Sequence, residues 1–365
     1  MATGFDLTLS PAATAAREHL HAVAGELREQ AATAEAEGVD LPTLRAHLAA
    51  AGLDPAVVAQ AGIDPLTVLV ALDALAYGDP GAAWAIVPAL QVATIVAAVG
   101  TPEQKAAVSA ALASPAATAS LLAYEDYGRQ PSEYETTVGG GSATGRKTSV
   151  AWPAGADVSL LVGREGDEIV AHCWTGARSG ITVERDDRVL GKIAVTAAPS
   201  GTVTLDGVAT SPGERLGGGL ALDRSLGQAR LMLGAVLQGT ARASIEFCAG
   251  YATARTTWGV PIAQHQGVAF PIIDRTTELE KLRLLLWDTS AEVDRATDTA
   301  DIEARVARAL NRISTHALHT TRDGVQLVGV RAITRDLPSE RWYRSAAALG
   351  VVDVDIAATP FSLSN

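Results

Sequence analysis

Residues 255–266 read RTTWGVPIAQHQ. An arginine, two threonines and a tryptophan precede a Gly-x-Pro turn, and a His-Gln pair opens the amphipathic stretch beyond it. Arg255, with hydroxyls and the Gln266 amide close by in sequence, is a donor set suited to a diphosphate. A guanidinium meets phosphate oxygens as a fork, and hydroxyls at a helix end add further bonds. The bland alternative is a solvated cation at a helix C-terminus. Other chemical signatures are missing: the sequence holds no GxSxG, HExxH, Walker A loop or GxGxxG before a helix. His316 and His319, in STHALHTT, fall one turn apart on a helix, but no carboxylate joins them at ligand spacing, so no metal is expected. The run GGGSATG (139–145) reads as a hairpin turn, because neither Lys-Ser/Thr nor a helix follows it.

Those residues need a scaffold, and the bulk properties bound it. A chain of 365 residues makes two or three domains with ample core. A net charge of -12 argues against nucleic acid and anionic membranes as partners, since both require a basic face. Cys173 and Cys248 stand far apart, so neither a disulfide framework nor a CxxC metal knuckle is expected. The start, MATGFDLTLSPAATAAREHL, has no basic segment followed by an apolar one; no signal peptide is expected, and a cytoplasmic location follows. Gly81 to Gly100, GAAWAIVPALQVATIVAAVG, is uncharged and long enough to span a bilayer. Pro88, Gln91, Thr94 and the abundance of alanine point instead to a helix buried inside a helical domain. Thr101-Pro102-Glu103-Gln104 then reads as a capping box that opens the next helix.

The texture divides the chain in three. Residues 1–118 are Ala- and Leu-rich with helical periodicity, an N-terminal all-α domain. Residues 119–220 carry β-branched runs between Gly, Asp and Pro turns, a middle β-domain in the form of a small sandwich or barrel. Residues 221–365 return to helical periodicity as a C-terminal helical bundle. There Ile272, Leu279, Leu282 and Leu286 share one face, Glu278 and Glu280 look outward, and Pro271 predicts a kink or bulge.

In this order the sequence resembles the acyl-CoA dehydrogenase family of flavoproteins. The resemblance rests on ALDALAYGDPGAAWA (71–85), GTPEQKAAV (100–108), GRKTSVAWPAGAD (145–157), VLGKIAVTAAPSGTVTLDGV (189–208), the stretch 251–286 and VQLVGVRAITRDLPSERWYRSA (325–346). It covers nearly the whole chain, and Arg-x-Thr-aromatic-Gly is its most specific piece. It implies FAD as cofactor and a homodimer or homotetramer in which Arg255 reaches across a subunit interface. Arg255 and Thr257 would hold the diphosphate, Trp258 would pack on the cofactor, and Gln266 would bond its ribityl or adenosine part. Gln326 and Gly329 match the Gln-x-x-Gly turn against the adenine half.

The resemblance also implies chemistry on an acyl thioester, carried by coenzyme A or an acyl carrier protein. A carboxylate removes the proton beside the carbonyl while the β-hydrogen leaves as hydride. The family's glutamate base, followed by Gly-Thr, falls on Asp353, which is followed by Val354 and Asp355. Aspartate is one methylene, about 1.5 Å, shorter; nitroalkane-oxidising relatives of the same fold use an aspartate there. The alternative base position, just before Arg230, is occupied by Ala229. Tyr124 and Arg230 fall at substrate positions. The flavin-ring motifs depart most. Tyr124 and Asp126 replace the threonine and proline of Thr-Glu-Pro, Tyr-Gly-Arg-Gln replaces the Gly-Ser turn, and Ser149-Val150-Ala151 replaces Trp-Ile-Thr, with Trp152 next to it. Three readings follow: an acyl-thioester dehydrogenase or oxidase with Asp353 as base, a flavin monooxygenase of the same fold, and a protein that keeps the scaffold without flavin.

Overall fold

The computed structural model describes residues 8–126, 128–189 and 192–353. The N-terminal part is helical: α1 (Pro11–Ala22), α2 (Ala24–Glu37), α3 (Leu41–Ala50), α4 (Pro55–Ala61), α5 (Pro65–Gly78), α6 (Pro80–Val99) and α7 (Pro102–Ala111). One local rule starts several of these helices, a short polar N-cap followed by proline. Asp54 accepts from Ala56 N at 2.9 Å, Asp64 from Thr67 N at 3.1 Å, and Asp79 from Gly81 N and Ala82 N at 3.1 Å. The side chain satisfies helix N–H groups that have no partner, and proline supplies the right φ where no N–H is needed. The capping box at Thr101 and Gln104 forms as expected. The amide of Gln104 also donates to Gly213 O and Arg215 O at 2.9 Å, tying the helical part to the chain that leaves the sheet.

Helix α6 is long and apolar enough to cross a membrane, yet 78% of its most apolar window is buried inside the protein. It is the core helix, packed on α4, α5 and the later helix α9 (Leu220–Ala254).

The middle part contains β1 (Ala119–Leu122), β2 (Thr137–Gly139), β3 (Ser142–Ala151), β4 (Val158–Glu165), β5 (Glu168–Thr175), β6 (Ile181–Arg185), the short α8 (Asp186–Val189) and β7 (Ser200–Ala209). The expected sandwich or barrel takes the form of one seven-stranded sheet. Strand β4 pairs with β5 along its whole length. On its other side it pairs with β1 at one end and reaches β2 at Thr137–Arg164. The sheet continues through β3 and β7 to β6. It curls until Trp174 of β5 and Ile181 and Val183 of β6 join one apolar cluster with Val150, Leu161 and Val203. The β2–β3 turn is the two-residue hairpin that the glycine run predicted, with Gly140 and Gly141 at φ 59° and 80°.

The last part holds α9, a hairpin of β8 (Thr256–Thr257) and β9 (Val260–Pro261), α10 (Gln266–Arg295), α11 (Thr299–Val328) and α12 (Ser339–Leu349). Helix α10 runs continuously through Pro271, and Leu279, Leu282 and Leu286 are buried. Glycines set the spacing here. A Cβ on Gly239 would lie 2.1 Å from Asp73 O, so α5 touches α9 backbone to backbone. Gly227 meets Val293 and Ile302, and Gly234 meets Leu286 and Leu310. Hence α11 runs parallel to α9 and α10 antiparallel. The C-terminus of α9, the start of α10 and the C-terminus of α11 all lie at one end of the bundle.

Candidate active site

Four segments converge in the interior between α6 and α9. Arg230 of α9 donates from Nε to Asp353 Oδ2 at 2.7 Å, with the two side chains 4% and 1% exposed. Asp353 lies in the turn after α12. From α6, Gln91 donates its Nε2 to Ala229 O at 2.8 Å and to the Tyr124 hydroxyl at 3.3 Å. Tyr124 leaves the end of β1. The structure thus brings together Asp353, Arg230 and Tyr124. Gln91, a polar break in the apolar α6, joins them.

Two atoms of this cluster are buried without a partner among the described residues: Asp353 Oδ1 and Arg230 Nη2. Buried polar atoms in native proteins are rarely left so, and a pair of opposite polarity marks a place for a ligand or water. Burial pushes the Asp353 carboxyl up from its usual value, against the pull of Arg230. Burial likewise raises the Tyr124 and Tyr134 hydroxyls, and the Asp353 charge adds to both. Asp353 therefore sits near two tyrosines as well as the guanidinium.

A second buried pair, missed at the sequence level, fixes the wall of this site. Lys147 of β3 is wholly buried, donating from Nζ to Ala123 O at 2.9 Å and Glu125 Oε1 at 2.8 Å. Its ammonium lies 4.3 Å from the centre of the Tyr134 ring. Burial lowers the Lys147 ammonium to about 8, opposed by Glu125. Glu125 also accepts from the backbone N–H groups of Glu135 and Thr136. Burial works against this carboxylate, but Lys147 and those bonds outweigh it and hold its pKa down. Lys147 shares the buried phase of β3 with Ala143, a faint signal that a charge was going inside. Tyr124 is thus flanked along the chain by Ala123 and Glu125, both gripped by one lysine.

Trp152 faces a different space. Its indole donates to Ala85 O of α6 at 2.8 Å. It lines a cleft of about 1160 Å³ bounded by α2, the chain between α8 and β7, and α12, with Lys192, Arg341 and Arg344 among the walls. By size the cleft can take a cofactor-sized ligand. Val150 and Ala151 are buried, Val150 in the sheet's own core. Tyr127, Val354 and Asp355 lie outside the described residues.

The diphosphate candidates lie elsewhere. Arg255 caps the C-terminus of α9, is exposed, and makes no side-chain hydrogen bond or ion pair with any described residue. Trp258 and Gly259 form the two-residue turn of the β8–β9 hairpin at φ 49° and 84°. A tryptophan in that region of φ is strained, and here it is also 91% exposed. Thr257 Oγ1 lies 3.3 Å from His265 Nε2. Gln266 is exposed at the first position of α10; Gln326 and Gly329 are exposed at the end of α11. All six residues gather at one end of the bundle. Arg230 and Arg255 are 25 residues apart on α9, about 38 Å along its axis. His316 is committed elsewhere: its Nε2 lies 3.1 Å from Arg275 O and 3.2 Å from Thr320 Oγ1. Among the described residues no group of three or more metal-ligating side chains comes together.

Helices, one curled sheet and a long-helix bundle in this arrangement define the acyl-CoA dehydrogenase fold. Butyryl-CoA dehydrogenase from Megasphaera elsdenii matches with a TM-score of 0.79 at 18% identity, over 96% of this chain and 97% of that one. The FAD complex of PigA matches with a TM-score of 0.79 at 20% identity, over 96% of each chain. Residues 217–353 match the family described as Acyl-CoA dehydrogenase, C-terminal domain. The 3-sulfinopropanoyl-CoA desulfinase of Paraburkholderia xenovorans (strain LB400) is 26% identical over 176 residues, 46% of this chain and 43% of that protein. Over residues 217–353 the chain is thus a distant relative of the acyl-CoA dehydrogenases, and the whole chain shares the fold. Its matches to such curated relatives span less than half of their length.

Proposed function

We propose that this protein is an FAD-dependent oxidoreductase that acts on an acyl thioester of coenzyme A or an acyl carrier protein, with Asp353 as the base. The observation that carries the reading is the buried Arg230–Asp353 pair with its unpartnered Oδ1 and Nη2. Arg230 holds Oδ2, which leaves Oδ1 as the lone pair that can take a proton. Burial keeps water from competing, and the raised carboxyl is a stronger base than a solvated aspartate.

The donor chemistry at the far end of the bundle suits the nucleotide half of FAD. Among the described residues Arg255 has no acidic partner; it stands next to a hydroxyl and an exposed indole, and Gly329 leaves open space where a Cβ would stand. Arg255, Thr257, Trp258, Gln266, Gln326 and Gly329 would hold that half. When bound, FAD would accept the hydride that leaves the β-carbon. The distance of about 38 Å between Arg230 and Arg255 favours an Arg255 that serves a second copy of the chain rather than its own cluster. A homodimer or homotetramer follows, in the cytoplasm.

The absorbance spectrum of the purified protein tests this. A yellow protein whose colour bleaches anaerobically with an acyl thioester supports the dehydrogenase reading. Bleaching only by a reduced nicotinamide transfers the protein to the monooxygenase reading, and a colourless protein removes flavin chemistry.

A further inference from the structure

Tyr124 stands where its hydroxyl can do more than fill space. Gln91 donates to the Tyr124 oxygen at 3.3 Å and is itself anchored on Ala229 O, the carbonyl just before Arg230. The amide occupies a lone pair, so the hydroxyl proton has to point elsewhere, and no described residue accepts it. Arg230 Nη2 is a second buried donor without an acceptor, and Asp353 Oδ1 an acceptor without a donor. Two donors and one acceptor, all buried and none with its full set of partners among the described residues, belong to one cluster.

We propose that Tyr124, oriented by Gln91, and Arg230 Nη2 together bind the thioester carbonyl oxygen and the enolate oxygen it becomes, while Asp353 Oδ1 takes the α-proton. This rests on the thioester reading above. In the step, the α-C–H bond breaks and its proton goes to Asp353. The electron pair forms the new carbon–carbon double bond, and the carbonyl π pair moves onto oxygen. The charge is met by a guanidinium and a neutral hydroxyl, both buried, where such donors act most strongly. The enolisation needs no oxidant. Tyr124 is then a catalytic residue and Gln91 a positioning residue.

Deuterium exchange into acetyl-CoA follows the step by itself, because that thioester has α-hydrogens and no β-hydrogen to lose. The flavin-loaded protein in D2O should exchange the methyl hydrogens. Tyr124→Phe should slow exchange about 100-fold, a larger effect than it has on acetyl-CoA binding, and Gln91→Met should slow it less. Asp353→Asn should stop it. Exchange at the wild-type rate in Tyr124→Phe overturns the role of Tyr124 and leaves Asp353 as base. If Tyr124→Phe does not fold, Gln91→Met decides: an unchanged rate there overturns the proposal. No exchange by the wild-type protein on acetyl-CoA or acetyl-pantetheine removes the thioester reading and this one together.

Discussion

Arg230 Nε and Asp353 Oδ2 meet at 2.7 Å across 123 residues of sequence, and neither side chain reaches solvent. Such a pair is costly to bury: desolvation of both ions offsets much of their attraction, and its worth lies in what it positions. Here one bond fixes the carboxylate and leaves its second oxygen free. An aspartate shorter than the family's usual glutamate is thus drawn to a side chain of α9 at the centre of the fold.

The first prediction concerns that carboxylate. Asp353→Asn should lower the rate of thioester-driven flavin bleaching by about 10²–10⁴-fold, while flavin content is unchanged. Because Asp353 must be ionised to act and burial raises its pKa, activity should fall with decreasing pH through a midpoint above the ordinary aspartate range. Bleaching at the wild-type rate, or an acid limb in the ordinary range, would count against the assignment.

The exposed end of the bundle predicts the opposite phenotype. Arg255→Ala and Trp258→Ala touch no core residue, so the folded chain should keep its stability to within about 0.5 kcal/mol. Flavin retention through gel filtration should collapse, and any oligomer that shares the cofactor should weaken. Full flavin content in both variants would remove these residues from the site.

Lys147 and Glu125 give a stability test. Lys147→Met removes the buried cation from Glu125, leaving it Arg129 at 3.7 Å and two backbone N–H groups, and should destabilise the protein by about 3 kcal/mol in denaturant unfolding. Adding Glu125→Gln should recover a good part of the loss, since the buried charge is then gone. A double variant no better than the single would show that the lysine acts through packing on Tyr134.

Asp79 makes a pH test. It is buried at the N-cap of α6, and burial lifts its carboxyl to about 6, although Gly81 N and Ala82 N pull it down. The folded value lies above the unfolded one, so the folded state binds the extra proton. The associated stability is present below the unfolded value near 3.8 and is lost as pH rises through about 6. The loss is on the order of 3 kcal/mol. Asp79→Asn keeps a capping oxygen. The difference in stability between variant and wild type, followed from pH 4 to 7, should therefore rise by that order. A flat difference curve would refute it.

Much of the architecture was readable residue by residue. The capping box at Thr101, the glycine hairpin before Ser142 and the apolar α6 obey rules that act over a few neighbouring positions. The single curled sheet was harder to read, because β4 divides one edge between β1 and β2, and no strand's own alternation records that. Of the site residues, Asp353, Arg230 and Tyr124 came from resemblance. Gln91 reads only as a polar break in an apolar helix, and Glu125, Tyr134 and Lys147 do not read as site residues, because each resembles an ordinary core or loop residue until its partner arrives.

By itself the sequence determined the order of helical, β and helical parts, the capping box that opens α7, the hairpin at Gly140–Gly141 and the burial of α6. Those are consequences of backbone geometry and of apolar surface leaving water, encoded within a turn or two. Only the tertiary structure decided that Gln91 should bridge Tyr124 to the carbonyl before Arg230, and that Asp353 should end with one oxygen bound and one open. Such hydrogen bonds depend on how closely α6, α9 and the end of β1 approach, a distance set by glycines and packing far from the residues that use it.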